Sequence, residues 1–348
     1  KVIDTILQKH AGKIDRRELN WKLERTKEKP GYLSFPGKVL ATADRLFIAD
    51  SKHHRIVVAD LQGKVLQTIG GSAEGFKDGS FAEALFDEPL GMALKGELLY
   101  IADRENHLIR VADLKAGVVR TAAGTGKQGW RSEPVEPLKT ALNSPWDLAV
   151  DGDRLYIAMA GNHQIWLLDL AKNKIGVFSG TGRETLTDGT HAQANFSQPS
   201  GLSLGGGRLY VADAEVSGVR ELELDPEGKT RTLVGTGLFD FGDKDGVGDD
   251  ALLQHVIGVA WANDRVYVAD TYNHKIKVVD PKTREVKSLF GDGRRGSEDG
   301  EGRKARFYEP SGVSAHGGKL YVADTNNHRI RVVDLKSGAV STLELQPK

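Results

Sequence analysis

Cysteine is absent from the chain, and methionine occurs only twice in 348 residues. Without cysteine the protein has no disulfide, no thiolate nucleophile and no cysteine-ligated zinc site. The absence fits a reducing compartment and favours a cytoplasmic location. No apolar run reaches the length needed to span a bilayer, and no signal-peptide pattern is visible, so we expect no membrane association.

Net charge is absent as well. Lysine plus arginine and aspartate plus glutamate each total 48, so the formal charge is zero. A neutral chain has no bulk field with which to capture nucleic acid or an anionic membrane. Hydrophobic residues make up 39% and charged residues 28% of the chain, as in ordinary globular domains. The composition therefore disfavours nucleic acid as a partner and leaves proteins and small molecules.

Glycine, by contrast, is abundant at 41 residues, and the chain repeats itself. A string of the form I/V-A-D recurs at intervals of 53 to 57 residues, with its alanine at Ala49, Ala102, Ala158, Ala212, Ala269 and Ala323. The segments around it are short, rich in Val, Ile, Leu and Tyr, and separated by Gly, Asp and Asn, which is typical of strands joined by turns. Six such units predict an all-β, six-bladed β-propeller with four antiparallel strands per blade. A solenoid is the competing architecture, but six regular copies favour a closed ring.

The repeat also carries a recognisable motif. The pattern D-x-x-N-H-x-I-R/K-V, seen as DTNNHRIRV at 324–332, resembles the NHL repeat, and six units in register span residues 31–348. Two further features are the strings SPWDLAV and IAMAGNHQIW within 144–166 and a recurrent D-G-x5-A-x-F/L loop. They are similar to family members in which a thioredoxin-like domain precedes a six-bladed NHL propeller. The resemblance implies a thioredoxin-like domain as an intramolecular partner.

The first 30 residues do not fit the repeat. Apolar residues on one face predict a short helix that ends near Gly12, and residues 13–30 are highly charged and end at Pro30, as in a linker. By the resemblance, this helix is the last element of an upstream thioredoxin-like domain. The alternative is a tail that packs on the propeller. We therefore divide the chain into a helix and linker at 1–30 and a propeller at 31–348.

Two residue types recur once per unit, and we interpret both as structural. Aspartate ends the second strand of five units, where its carboxylate suits backbone N–H groups of the next turn; it occurs at Asp50, Asp103, Asp213, Asp270 and Asp324. Histidine occupies one turn position in five units, with Ser217 in the fourth; it occurs at His54, His107, His163, His274 and His328. Metal ligands converge within about 2.0–2.2 Å of one ion, and turns spread around a ring do not.

Loops that carry an Asp-Gly pair precede four of the units. The pair favours a tight turn, and an apolar residue eight positions after the Asp is expected to anchor the loop to its blade; these anchors are Phe86, Phe196, Leu253 and Phe307. Calcium binding is conceivable in FGDKDGVGDD at 241–250. The aspartates there do not reproduce the EF-hand spacing, so ordinary turn structure is favoured.

The third unit breaks the pattern. Met159 replaces the strand-ending aspartate, Trp166 replaces the Arg or Lys of the third strand, and no Asp-Gly pair precedes the unit. We interpret Trp130, Trp146, Asp147, Met159 and Trp166 as candidates for contacting a ligand or partner, because aromatic residues and Met are favoured at recognition surfaces. The alternative is local repacking that compensates for the lost aspartate.

The favoured function is that of a non-catalytic binding or scaffold propeller, which presents loops and a central mouth to a protein or small ligand. No G-x-S-x-G elbow, H-E-x-x-H motif or P-loop appears, so no catalytic residue is assigned and no cofactor is expected. The alternative is a metal-dependent hydrolase or lyase, as in some six-bladed propellers that resemble this chain. Its calcium or zinc ligands would come from Glu88, Asp147, His255 and Glu309, near the starts of the first strands.

Overall fold

The computed structural model describes residues 31–130 and 136–347. The predicted helix and linker at 1–30 lie outside the described residues. Within them, each repeat forms one antiparallel sheet whose four main strands pair in sequence order. The predicted six-bladed, all-β propeller is thereby confirmed.

The strands follow the repeat closely. The first strands are Pro36–Ala41, Pro89–Lys95, Pro145–Asp151, Pro199–Gly205, Val256–Ala262 and Pro310–His316. The second strands are Leu46–Asp50, Leu98–Asp103, Arg154–Met159, Arg208–Asp213, Arg265–Asp270 and Lys319–Asp324. The third strands are Arg55–Ala59, Leu108–Asp113, Gln164–Asp169, Gly218–Glu223, Lys275–Val279 and Arg329–Asp334. The fourth strands are Val65–Gly70, Val118–Ala123, Lys174–Ser179, Lys229–Val234, Glu285–Phe290 and Ala339–Leu343.

Four blades carry a fifth strand that the repeat pattern did not predict. It is a two-residue strand formed by each Asp-Gly loop, and it pairs with the start of the fourth strand of the blade that follows the loop. These strands are Gly79–Ser80, Gly189–Thr190, Gly246–Val247 and Gly300–Glu301. The expected loop anchors are all buried. Blades one and three have four strands each.

The helical content of the described residues consists of single 3-10 turns. Four of them connect second and third strands, and the others lie in the connections between blades. They are Ser51–His53, Pro137–Lys139, Ala160–Asn162, Gly248–Asp250, Thr271–Asn273, Gly302–Lys304 and Thr325–Asn327.

The core is divided among the interfaces between blades. Side chains alternate along a strand, so each second strand serves two interfaces. In blade two, Leu99 and Ile101 join the apolar cluster shared with blade one, whereas Tyr100 joins the cluster shared with blade three. Apolar side chains also fill the interface between the last and first blades, where Tyr321 packs in a cluster with Leu46. This alternation explains why the strand sequence L-Y-I/V-A is apolar throughout.

Five of the six blades are also bonded to the next blade through the repeated histidine. The residue lies in the left-handed region, with φ between 51° and 56°, a conformation that His tolerates better than most residues. Its Nδ1 accepts a hydrogen bond of 3.0–3.2 Å from a backbone N–H just before the first strand of the following blade. The donor–acceptor pairs are Glu88–His54, Ser144–His107, Gln198–His163, Glu309–His274 and Phe35–His328.

The same bond closes the ring. Phe35 belongs to blade one and His328 to blade six, so this hydrogen bond joins the last blade to the first. Blade four, which has Ser217 in place of the histidine, keeps the contact through the Ser217 hydroxyl, which accepts from the N–H of His255 at 3.0 Å. The C-terminal segment adds a second closure, since the N–H of Val65 in blade one donates to the carbonyl of Gln346 at 3.0 Å. The six blades therefore form a continuous ring.

Candidate functional site

Most blades contain a buried polar network built around one cation. In blade two the guanidinium of Arg110, which is fully buried, donates to Asp103 at 2.9 Å and to Asp78 of the Asp-Gly loop at 2.6 Å. Asp78 in turn accepts from the N–H and hydroxyl of Thr121, both at 3.1 Å. Burial raises the pKa of the Asp103 carboxyl to about 6. Arg220, Arg331 and Lys277 hold the same place in blades four, six and five.

The strand-ending aspartate has a different backbone partner from the predicted one. Its Oδ1 accepts an N–H from the segment that precedes the first strand of its own blade, rather than from the turn that follows it; Asp103, for example, accepts from Asp87 at 2.8 Å. The reason is register, because Asp103 pairs with the first residue of the first strand. The carboxylate therefore fastens the inter-blade connection to the blade.

Blade three replaces this network with apolar packing. Met159 and Trp166 are fully buried in the cluster between blades two and three. The Met159 sulfur takes over the carboxylate's role and receives the N–H of Asn143 at 3.3 Å. The Trp166 indole N–H donates to Gln164 at 3.0 Å. Both side chains therefore lie inside the blade, and neither offers a surface to a partner in this structure.

The other two tryptophans of this blade lie nearer the surface. Trp130 is 68% exposed, in the connection before blade three. Trp146 is half-buried, and the guanidinium of Arg104 lies 5.7 Å from its ring centroid. These two residues remain candidates for contacting a partner.

Asp147 belongs to a ring of six equivalent positions around the central channel. Four blades have glycine there: Gly91, Gly201, Gly258 and Gly312. Blade one has Lys38 and blade three has Asp147. The glycines are required by close backbone packing, since a Cβ on Gly258 would lie 2.3 Å from the carbonyl oxygen of Ser311. The ring is therefore tight, and only two side chains enter it.

Those two side chains form a buried ion pair across the channel. The Lys38 ammonium lies 3.1 Å from Asp147 Oδ2 and also donates to the carbonyls of Ser200 and Ile257, each at 2.8 Å. Asp147 Oδ2 accepts the N–H of Leu202 at 3.0 Å. All three hydrogens of the ammonium are thus used, and one lysine of blade one is bonded to blades three, four and five. Sequence reasoning selected Asp147 but missed Lys38.

Beyond this pair the channel widens into a cavity. Its volume is about 360 Å³, and the first strands of all six blades line it as far as Thr42, Trp261 and Ala315. The Lys38–Asp147 pair lies at one end of the cavity. Since both charges are already paired, the pair is a poor site for further acid–base chemistry.

The four residues of the metal alternative do not converge. Glu88 contacts the cations Lys52 and Arg104, and Asp147 is paired with Lys38 as described above. Glu309 accepts from the Asn326 amide at 2.6 Å. Among residues 31–130 and 136–347, one group of at least three potential metal-ligating side chains has its ligand atoms within 4.8 Å of one another, and it consists of His54, Glu74 and Asp87. In that group, His54 Nδ1 already accepts the N–H of Glu88.

The aspartates at 241–250 are also engaged by protein groups. Asp243 contacts Lys275 and lies 2.9 Å from Lys277, and Asp245 accepts from the Ser288 hydroxyl at 2.8 Å. The structure thus gives this loop the architecture of the other Asp-Gly loops.

Exposed apolar side chains are concentrated in one class of connection. By topology, the turns between second and third strands and both ends of each inter-blade connection lie at the same end of the sheets, which we call the loop face. Five large hydrophobic side chains are exposed in the loop-face parts of these connections and turns: Phe76, Trp130, Phe239, Phe241 and Tyr272. Val247 pairs with Glu285 at the start of a fourth strand, which is the opposite end of the sheet, and Leu138 lines a cavity with Leu170 and Asn173 near that end. Leu66 and Val177 lie on outer strands, and the described turns of the opposite face expose none. Exposed aromatic residues are enriched at protein-binding surfaces.

Comparisons with known proteins agree with the fold and the repeat. The NHL repeat family matches residues 142–166 and 307–333, and the LVIVD repeat family matches residues 91–111. NHL repeat-containing protein 2 of Homo sapiens is 42% identical over 97% of this chain. Protein SUPPRESSOR OF QUENCHING 1, chloroplastic, of Arabidopsis thaliana is 43% identical over 99% of the chain. The chain spans 51% of the first protein and 35% of the second.

Solved structures share the fold at much lower identity. A streptogramin B lyase structure superposes with a TM-score of 0.57 over 90% of this chain and 84% of its own, at 10% sequence identity. At that identity the likeness concerns the propeller architecture alone. No helix in the part of the chain that the structure describes has the length and apolarity to cross a membrane.

Proposed function

Since this chain is an NHL-repeat, six-bladed β-propeller, we propose that it is a non-catalytic binding module that presents its loop face to a protein partner. The observation that carries the proposal is the distribution of exposed apolar side chains, which favours the loop face over the opposite face. The rigid ring supports this role, because loops on a fixed scaffold hold binding residues at low entropic cost.

We further propose that a thioredoxin-like domain accompanies the propeller in the full-length protein. The chain covers about half of NHL repeat-containing protein 2, so the longer relatives have room for another domain. Thiol chemistry would belong to such a domain, because the present chain contains no cysteine.

Site-specific photo-crosslinking tests the protein-binding role. A photoreactive amino acid would replace Phe76 or Trp130 on the loop face, and Lys172 or Lys336 in turns of the opposite face, where both lysines are exposed. We expect discrete adducts with cell-extract proteins from the loop-face positions only. Equal labelling from both faces, or no adduct from either, would contradict the proposal.

A substitution provides the second arm of the test. Trp146→Ala removes a half-buried ring beside Arg104. If Trp146 contributes to binding, the adduct yield from Phe76 falls while the thermal midpoint stays near that of the wild type. Loss of folding together with binding would instead assign Trp146 to packing.

The metal-dependent hydrolase or lyase is the second candidate, and elemental analysis decides it. The chain would be purified without chelator or histidine tag. One equivalent of calcium or zinc per chain, lost together with thermal stability on chelation, would favour an enzyme. Absence of stoichiometric metal would leave the binding module, in line with the ion pairs that occupy Glu88 and Asp147.

A further inference from the structure

Blade five carries an aromatic patch on the loop face. Phe239 is 87% exposed, Phe241 55% and Tyr272 48%. The connection with the two phenylalanines is bonded to the turn with the tyrosine, because the Asn273 amide donates to the carbonyl of Gly242 at 2.7 Å. The three rings therefore belong to neighbouring segments. None of them occupies a position that the repeat requires.

The tyrosine is held in place by a second ring. Tyr272 stacks on His255 with their centroids 4.4 Å apart and their planes 11° from parallel. Burial lowers the pKa of His255, so its imidazole is neutral near neutral pH. A neutral ring supports the tyrosine without adding positive charge to the patch.

Three carboxylates flank these rings. Glu215 lies 3.8 Å from His255 Nδ1, and the N–H of Glu309 donates to His274 Nδ1, two residues after Tyr272. Asp240 lies between the two phenylalanines in sequence. None of the three has a Lys or Arg ammonium or guanidinium group within 4.0 Å among the described residues. Burial raises the pKa of Tyr272, and the charges of Glu309 and Glu215 add to that effect, so both carboxylates act on the ring.

The corresponding position before blade two differs in its charge balance. Glu88 is compensated there by Lys52 and Arg104. The negative charge beside Tyr272 is therefore a local feature, although the whole chain is neutral. Carboxylates without a cationic partner attract positive charge, and the faces of exposed aromatic rings do so as well.

We propose that the blade-five patch, formed by Phe239, Phe241 and Tyr272 with Asp240, Glu215 and Glu309, binds a segment of a partner protein that carries Lys or Arg beside apolar side chains. The proposal rests on the proposed function and specifies its partner. The phenylalanines bury apolar area, and the carboxylates and Tyr272 receive the cation. Charge complementarity makes the interaction weaken with salt.

Two synthetic peptides of about ten residues test the proposal. One alternates Leu with Lys and Arg, and the other has Glu in place of each cation. Calorimetric titration would be carried out at about 50 mM and about 300 mM salt. We expect the basic peptide to bind, with about tenfold weaker binding to Phe239→Ala/Phe241→Ala. Glu215→Gln/Glu309→Gln should lower both the affinity and its salt dependence. Val177→Ala, which shortens an exposed side chain on an outer strand away from the loop face, should leave the affinity unchanged.

Three outcomes overturn the inference: no binding of the basic peptide, equal binding of the acidic peptide, or equal affinity for the wild type and Phe239→Ala/Phe241→Ala. The substituted side chains are at least partly exposed, and thermal midpoints would establish that each variant is folded. Loop-face crosslinks that persist without peptide binding would refute only the blade-five patch. Absence of loop-face crosslinks would refute the proposed function itself.

Discussion

The Lys38–Asp147 pair provides the sharpest test of how the ring is held together. Asp147→Asn keeps the shape of the side chain and removes its charge, which leaves the Lys38 ammonium in a site where the two side chains are only 6% and 13% exposed. At a separation of 3.1 Å and an effective dielectric constant of about 20, the lost attraction is about 5 kcal/mol. Removal of one partner of a buried pair costs roughly 3–5 kcal/mol, so we expect a loss of that size in the free energy of unfolding.

Urea unfolding of a double-mutant cycle measures this loss. Lys38→Met leaves the carbonyls of Ser200 and Ile257 without their donor, so it should also destabilise the protein strongly. Lys38→Met/Asp147→Asn should lose about 2–3 kcal/mol less than the sum of the two single losses, because contacting residues are coupled. Losses that add to within about 0.5 kcal/mol would refute the view that the pair acts as one bond across the channel.

Three further predictions concern the blades themselves. Trp166→Arg should lower the free energy of unfolding in urea by more than about 3 kcal/mol, because it buries a cation without a carboxylate. Met159→Asp in the same chain should recover part of that loss, and no recovery would contradict the interpretation of the buried cation–carboxylate network. Burial lowers the pKa of His274 below its usual value of 6.5 in the folded protein. The neutral ring therefore makes its full contribution to the free energy of unfolding above pH 6.5, and this contribution is lost as the pH falls through the folded-state pKa. The thermal midpoints of the wild type and His274→Asn should therefore converge between about pH 7.5 and about pH 5, and a constant gap would refute the assignment. Gly258→Ala places a Cβ 2.3 Å from the carbonyl oxygen of Ser311. It should lower the free energy of unfolding in urea by about 1–3 kcal/mol or more. An unchanged urea midpoint would show that the ring of channel positions is loosely packed.

The fold was predictable because the repeat supplies the same local signals six times. The alternation of L-Y-I/V-A predicted strands, and the structure shows why it is apolar throughout, since Leu99 and Tyr100 face different blade interfaces. The fifth strand was not predictable from periodicity. Two residues such as Gly79 and Ser80 are too short for a strand pattern and become a strand only beside the fourth strand of their blade.

The exceptional residues were only partly interpretable. Met159 and Trp166 stood out as breaks in the repeat, but only the structure showed that both are fully buried in one apolar cluster. Asp147 stood out for the same reason, whereas Lys38 did not, although both occupy the repeat position that is glycine in the other four blades. An alignment of the six first strands contains that signal. The contact itself joins residues 109 positions apart.

The amino-acid sequence by itself determined the number of blades, the strands and the turns, because these depend on local patterns that recur along the chain. The tertiary structure decided which residues act together. The Asn273–Gly242 bond joins the segments that carry Phe241 and Tyr272, which are about 30 positions apart in the chain. Glu215 lies beside His255 without a Lys or Arg side chain within 4.0 Å among the described residues. Local patterns depend on a residue's own neighbours in the chain, whereas ion pairs, channel contacts and binding patches depend on how the blades close into a ring.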